Sequence, residues 1–164
     1  MRKRVNLSTY SVMVTILSMT ILAGVLFVVF SNADSFIATR IGVVIIVVLF
    51  CLSGLFYAPL AISVDGDALC VERPLRRKMI PLADIADVRL CKPTMAERRL
   101  FGSGCFLGHW GRMYERDLGR YFAYYGKASD CFLVTLNDRR KYMLGCKDAP
   151  EMVASIKKAI APRR

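Results

Sequence analysis

An α+β chain in two parts is predicted: a two-helix transmembrane hairpin over residues 1–59, then a bent antiparallel sheet or open barrel of about seven strands, capped by a carboxy-terminal helix, over 60–164. Three observations predict it. Two long apolar blocks stand close together near the start, short runs of alternating apolar residues follow between turn signals, and a single stretch of helical periodicity ends the chain.

Residues 10–30 carry no formal charge, and Val12, Val14, Ile16, Leu17, Ile21, Leu22, Val25 and Leu26 leave no polar face for water. Crossing a hydrocarbon core of about 30 Å takes roughly 20 helical residues. This block therefore predicts a spanning helix over about 10–30. A second block, still more apolar, predicts another over about 41–58. Its 43–50 stretch alone would suit a buried strand, but the continuation through Cys51 to Tyr57 is too long for one. The residues between the blocks are mostly polar and short, so the two spans form a hairpin.

Arg2, Lys3 and Arg4 precede the first span, whereas the connection holds only Asp34 and Arg40. The positive-inside rule then puts the amino terminus in the cytoplasm, and an even number of spans returns the rest of the chain to the same side. From Leu60 onward there are 20 Lys and Arg against 12 Asp and Glu, a net charge of +8, which agrees with a cytoplasmic domain beside an anionic leaflet. Ser31, Asn32 and Ala33 loosely imitate a signal-peptidase site, but the apolar run before them exceeds a usual signal core. The expected location is the inner cell membrane, multi-pass, with both termini cytoplasmic.

The remaining residues suffice for one core without metal or disulfide support. Ala58 and Pro59 lead straight into it, so the domain should sit close against the bilayer. Six cysteines are scattered through the chain without a C-x-x-C pair, and only one histidine, His109, accompanies them. Structural thiols are expected, with no disulfide framework, no metal site and no cofactor.

Alternation at Leu60, Ile62 and Val64, a turn at Asp65, Gly66 and Asp67, and resumed alternation at Leu69 and Val71 predict a hairpin. Short strands at 79–82 and 87–91 bring the number to four before Pro93. Regularity then fails over a Gly-rich insertion at about 93–119. It returns at 120–125, 131–136 and 141–144, with Asn137 and Asp138 as a turn. Asp148 and Glu151 have capping-box spacing, and Met152, Val153, Ile156 and Ile160 form one apolar stripe of a helix.

This order resembles the pleckstrin-homology (PH) superfold, in which a carboxy-terminal helix plugs one end of a bent sheet. The likeness is carried by residues 80–88, from Ile80 through Pro81, Leu82, Asp84 and Asp87 to Val88, and by 132–144 followed by Asp148, Pro150 and Glu151. It looks like bacterial membrane-anchored PH-like domain proteins and covers most of 60–160. The resemblance implies a non-enzymatic interaction module. It implies neither phosphoinositide binding nor a role for the Gly-rich insertion.

Candidate binding residues fall in three groups. Arg76, Arg77 and Lys78, and likewise Arg139, Arg140 and Lys141, lie in predicted turns, where each base near an anionic leaflet would contribute about 1 kcal/mol over a Debye length. In the insertion, Phe106 and Trp110, with Phe101, Leu107 and Tyr114, are flanked by Arg98, Arg99, Arg112 and Arg116. Rings favour the bilayer interface and arginines its headgroups, so this loop is a candidate to dip into the membrane; alternatively its rings close the core or cover the helices. Gly102, Gly104 and Gly108 miss the dinucleotide fingerprint, and no P-loop lysine follows. Nucleic acid is not expected, since aromatics do not interleave with the bases on a sheet face. No catalytic residues are assigned: His109 lacks a nucleophile pattern beside it. The expected function is a cytoplasmic-face module binding a protein partner or supporting a membrane assembly, with anionic-lipid sensing as the alternative.

Overall fold

The computed structural model describes residues 1–32, 36–94 and 97–161; Ala33, Asp34, Arg163 and Arg164 lie outside these. Two long helices, α1 (Thr9–Ser31) and α2 (Ile37–Tyr57), are long and apolar enough to cross a membrane. Both lie within a few residues of the spans read from the sequence. Ser8 starts α1: its hydroxyl accepts the Ser11 N–H at 3.1 Å, which satisfies one of the free donors of the first turn. Most apolar side chains of both helices are exposed and none is fully buried, the condition expected of a surface meant for lipid rather than water.

The first surprise lies ahead of α1. Arg2, Lys3 and Arg4, expected only as a basic flank, form strand β1 (Arg2–Arg4), which pairs antiparallel with β2 (Ala61–Asp65) in the register Arg2 to Ser63 and Arg4 to Ala61. β3 (Ala68–Glu72) and β4 (Arg77–Pro81) complete a four-stranded sheet in the order β1-β2-β3-β4. Gly66, at φ 54°, supplies the left-handed residue in the β2–β3 turn.

A 3₁₀ turn at Leu82–Asp84 carries the chain into β5 (Ile85–Leu90) and a second sheet. Its other strands are β6 (Arg98–Ser103), β7 (His109–Glu115), β8 (Gly119–Tyr125), β9 (Cys131–Leu136) and β10 (Lys141–Gly145), in the order β5-β9-β10-β8-β7-β6. The pairing of β8 with β10 is parallel, so the sheet is mixed and not wholly antiparallel. Nine strands follow Leu60 among the described residues where about seven were expected. The excess comes mainly from the Gly-rich insertion, which is no irregular loop but contains the β6–β7 hairpin.

The sheets and helix α3 (Ala149–Ile160) enclose one core that includes Ile62, Leu69, Ile80, Leu82, Phe132, Leu144, Met152 and Ile156. At the start of α3 the expected capping box is replaced. Asp148 occupies the N-cap position in the left-handed region, at φ 57°, without a side-chain cap bond, and both its carboxylate and that of Glu151 bind the Lys3 ammonium, at 3.1 and 2.7 Å. On the opposite face of the second sheet a smaller cluster gathers Met113, Tyr121, Ala123, Tyr125, Leu133 and Met143.

Candidate functional site

The domain is fastened to the helices through the β6–β7 hairpin. Gly102 and Gly111 face each other across these strands at φ 118° and 127°. A Cβ on either would fall within 2.2 Å of partner backbone oxygen, so only glycine permits this approach. Beyond them the loop turns through Leu107, at φ 54°, and its tip meets both helices. The Leu107 N–H donates to Thr15 Oγ1 in α1 at 3.0 Å. The Phe106 ring packs on Phe50 of α2 at 4.5 Å, directly over Gly54. Trp110 stacks on Tyr57 at 5.1 Å and donates its indole N–H to the Phe106 carbonyl at 3.0 Å. Arg73 lies over the rings of Tyr57 and Tyr124, 6.0 and 5.6 Å from their centroids.

Phe106 and Trp110 are therefore buried against the chain's own helix, whereas Phe101 and Tyr114 of the same segment are left exposed, Phe101 by 63%. Arg98 and Arg99 lie exposed on β6, the edge strand, and Arg116 lies exposed in the β7–β8 turn. Arg76 and Arg77 are exposed at the β3–β4 connection, while Lys78 leans over the Tyr142 ring at 5.9 Å. Arg139 sits at φ 67° in the β9–β10 turn, and Arg140 pairs with Asp138.

Some of these bases converge. In register across the second sheet, Phe101, Arg112, Phe122 and Tyr142 form one row over β6, β7, β8 and β10, and Val134 and Val88 continue it over β9 and β5. Val134 and Val88 are in the core; at the other end the row leaves the core and becomes the floor of an open groove of about 620 Å³. Arg112, Arg120, Arg140 and Lys141 stand around that floor, and no described carboxylate lines it. Arg120 is the residue that sequence reasoning missed. Its signal was its place in an aromatic β-strand, from which cross-strand pairing with Tyr114 puts it on the same face as Arg112. A smaller apolar pocket of about 350 Å³ lies beside it, lined by Phe50, Tyr57, Phe106 and Trp110 among others, and Phe101 borders both.

His109 is half-buried and stacked on Tyr125 at 4.6 Å. Burial, helped by the Arg99 charge, holds its pKa down to about 4. The Tyr121 and Tyr125 hydroxyls both donate to the Glu97 carboxylate at 2.8 Å, and burial with that carboxylate pushes both phenols up. Burial likewise raises Cys131, and Cys146 to about 12. At these five residues the shifts favour neutral imidazole, phenol and thiol at neutral pH. All six cysteines are free, and no cluster of three or more His, Cys, Asp or Glu able to hold a metal occurs among the described residues.

Two apolar helices followed by a bent double sheet and a terminal helix define a PH-like module with two candidate spans. The bacterial PH domain family model matches residues 60–160, and the chain belongs to that family. PH-like domains are generally non-enzymatic interaction modules, and no catalytic family is indicated. No curated protein and no solved structure matches the chain.

Proposed function

We propose that this protein is an integral, non-enzymatic interaction module of the bacterial inner membrane, which holds its PH-like domain in a fixed orientation at the cytoplasmic face for a protein partner or membrane assembly. The pairing of β1 with β2 carries this reading. β1 precedes the first helix and β2 follows the second, so both ends of the hairpin are stitched into one folded unit and both helices leave from the same side of it. Further bonds extend the seam: Val5 N–H to the Leu60 carbonyl at 2.9 Å, Ser8 N–H to Gly126 at 3.1 Å and Lys147 N–H to Arg4 at 2.9 Å. A domain on a flexible tether would sample many orientations; a stitched one presents a single face, which suits assembly on a membrane.

The cationic surface and the positive-inside rule support the cytoplasmic side. Carboxy-terminal fusions test it: a fluorescent protein should fold and emit, and alkaline phosphatase should stay inactive. Phosphatase activity in intact cells would reject the orientation. Crosslinking in native membranes should then recover a protein joined through the domain. Crosslinks confined to the chain itself would remove the partner.

A further inference from the structure

We propose that the groove over β6, β7, β8 and β10, together with the apolar pocket beside α2, forms one binding site for a single anionic phospholipid. Its phosphate would lie among Arg112, Arg120, Arg140 and Lys141, and an acyl chain along Phe101 toward Phe50. This assignment deepens the membrane-module reading and rests on it, because the lipid must reach the groove from the bilayer around α2.

The first observation is the charge of the groove. Four cationic side chains surround it and no described Asp or Glu lines it, although the domain contains acids in plenty. Two of the four are already engaged: Arg140 with Asp138, and the Lys141 ammonium with the Leu118 carbonyl at 2.7 Å. Arg112 and Arg120 make no ion pair with a described carboxylate. They are exposed and stand one pair apart on adjacent strands, since Arg112 faces Phe122 and Arg120 faces Tyr114. A guanidinium can bind phosphate oxygens through two N–H donors, and two of them line one groove here.

The second observation is continuity with hydrocarbon. The cationic groove shares Phe101 with the pocket lined by Phe50, Phe106 and Trp110, and Phe50 belongs to an apolar helix long enough to span a bilayer. Phe101 is highly exposed at this junction, and Leu100 beside it is 56% exposed. A soluble phosphate would use only the cationic end, and an acidic peptide would have no need of a pocket against a membrane helix. A molecule with a phosphate at one end and an alkyl chain at the other uses both.

Native mass spectrometry of the full chain, released from detergent after incubation with defined lipids, tests the assignment. One phosphatidylglycerol should be retained, with about a tenfold preference over phosphatidylcholine. Replacing Arg112 and Arg120 together by Gln should reduce retention about tenfold, while Lys157→Ala with Lys158→Ala on α3 should leave it unchanged. Because Arg112 and Arg120 are exposed, the double variant should fold, as an unaltered Trp110 emission spectrum would confirm. Phe101→Ser should weaken phosphatidylglycerol but not glycerol phosphate, which carries the headgroup chemistry without the chain. Equal retention by the double Gln variant overturns the site, as does equal retention of the two lipids. Glycerol phosphate bound as tightly as the lipid would make it a soluble-anion site and overturn the lipid. A double variant that fails the emission check passes the decision to Phe101→Ser and the two-lipid comparison. Retention is read on purified protein, so its failure leaves the sidedness result standing, and the converse holds equally.

Discussion

Tyr57, the last residue of α2, and Trp110, the second residue of β7, stack with their rings 5.1 Å apart and 11° from parallel. This contact joins the end of a candidate span to the centre of the domain, and it explains why so few residues suffice between them. The ring pair extends the core outward to the helix, since Trp110 is in the core and Tyr57 packs against it.

Trp110 is the only tryptophan, so its emission reports this junction directly. Tyr57→Ala should move the emission to longer wavelength as water reaches the indole, with the fold otherwise kept. Trp110→Ala removes a buried ring and its hydrogen bond, at a cost of about 3–5 kcal/mol; Trp110→Phe should recover much of this. Thermal unfolding of the detergent-solubilised chain measures both, and an emission spectrum indifferent to Tyr57→Ala would refute the stacked junction.

Gly54 should prove the most sensitive glycine of the two helices. A Cβ there would stand 2.7 Å from Phe106 Cε1 and 2.8 Å from Leu107 Cδ1, whereas a Cβ on Gly24 or Gly42 would meet nothing within 4 Å. Gly54→Leu would drive the hairpin tip off α2, with overpacking costing about 1–3 kcal/mol. Hydrogen exchange over residues 103–110 should accelerate in this variant and stay unchanged in Gly42→Leu. Equal behaviour of the two would mean that the tip is not seated on α2.

The spans, the four strands before Pro93 and the terminal helix were legible because each repeats one pattern without interruption. β6 and β7 were not. Glycine is depleted in strands, and the register slips between Arg99 and Phe101, which breaks the alternation by which a strand is recognised. Their glycines serve a close backbone approach, visible only once Gly102 and Gly111 are seen opposite one another. β1 was hidden for another reason: three adjacent bases carry no apolar period, and their partners lie about sixty residues away. Arg112, Arg140 and Lys141 could be named from charge alone. Their convergence with Arg120 depends on the parallel β8–β10 pairing, which no local feature announces.

The Arg2–Glu72 pair should hold β1 in place. The guanidinium donates to the carboxylate from Nε, at 2.9 and 3.1 Å, and from Nη2, and this interaction lowers the Glu72 pKa. A depressed carboxylate contributes stability above its unfolded value, about 4.5, which is lost as pH falls through the folded one. Arg2→Glu should speed amide exchange of residues 2–4, and adding Glu72→Arg should slow it again. High salt should narrow the difference, because Arg2 is exposed. Failure of the double reversal to restore protection would show that the backbone ladder alone holds the strand.

His109 should give the domain a pH dependence between about pH 6.5 and 4. Its folded pKa of about 4 lies below the unfolded value of 6.5, because burial against Tyr125 and the nearby Arg99 charge both oppose protonation. Above pH 6.5 neither state binds the proton and stability is flat in this term. Between 6.5 and 4 the unfolded chain is protonated and the folded one is not, so stability falls with falling pH, by up to about 1.4 kcal/mol per pH unit. His109→Phe keeps a ring on Tyr125 but cannot titrate. Its unfolding midpoint should therefore lose most of the decline between pH 6.5 and 4.5, above the range in which Glu72 takes over. Parallel curves for the two proteins would mean that His109 is protonated in the folded state, and hence that water reaches the imidazole beside Tyr125.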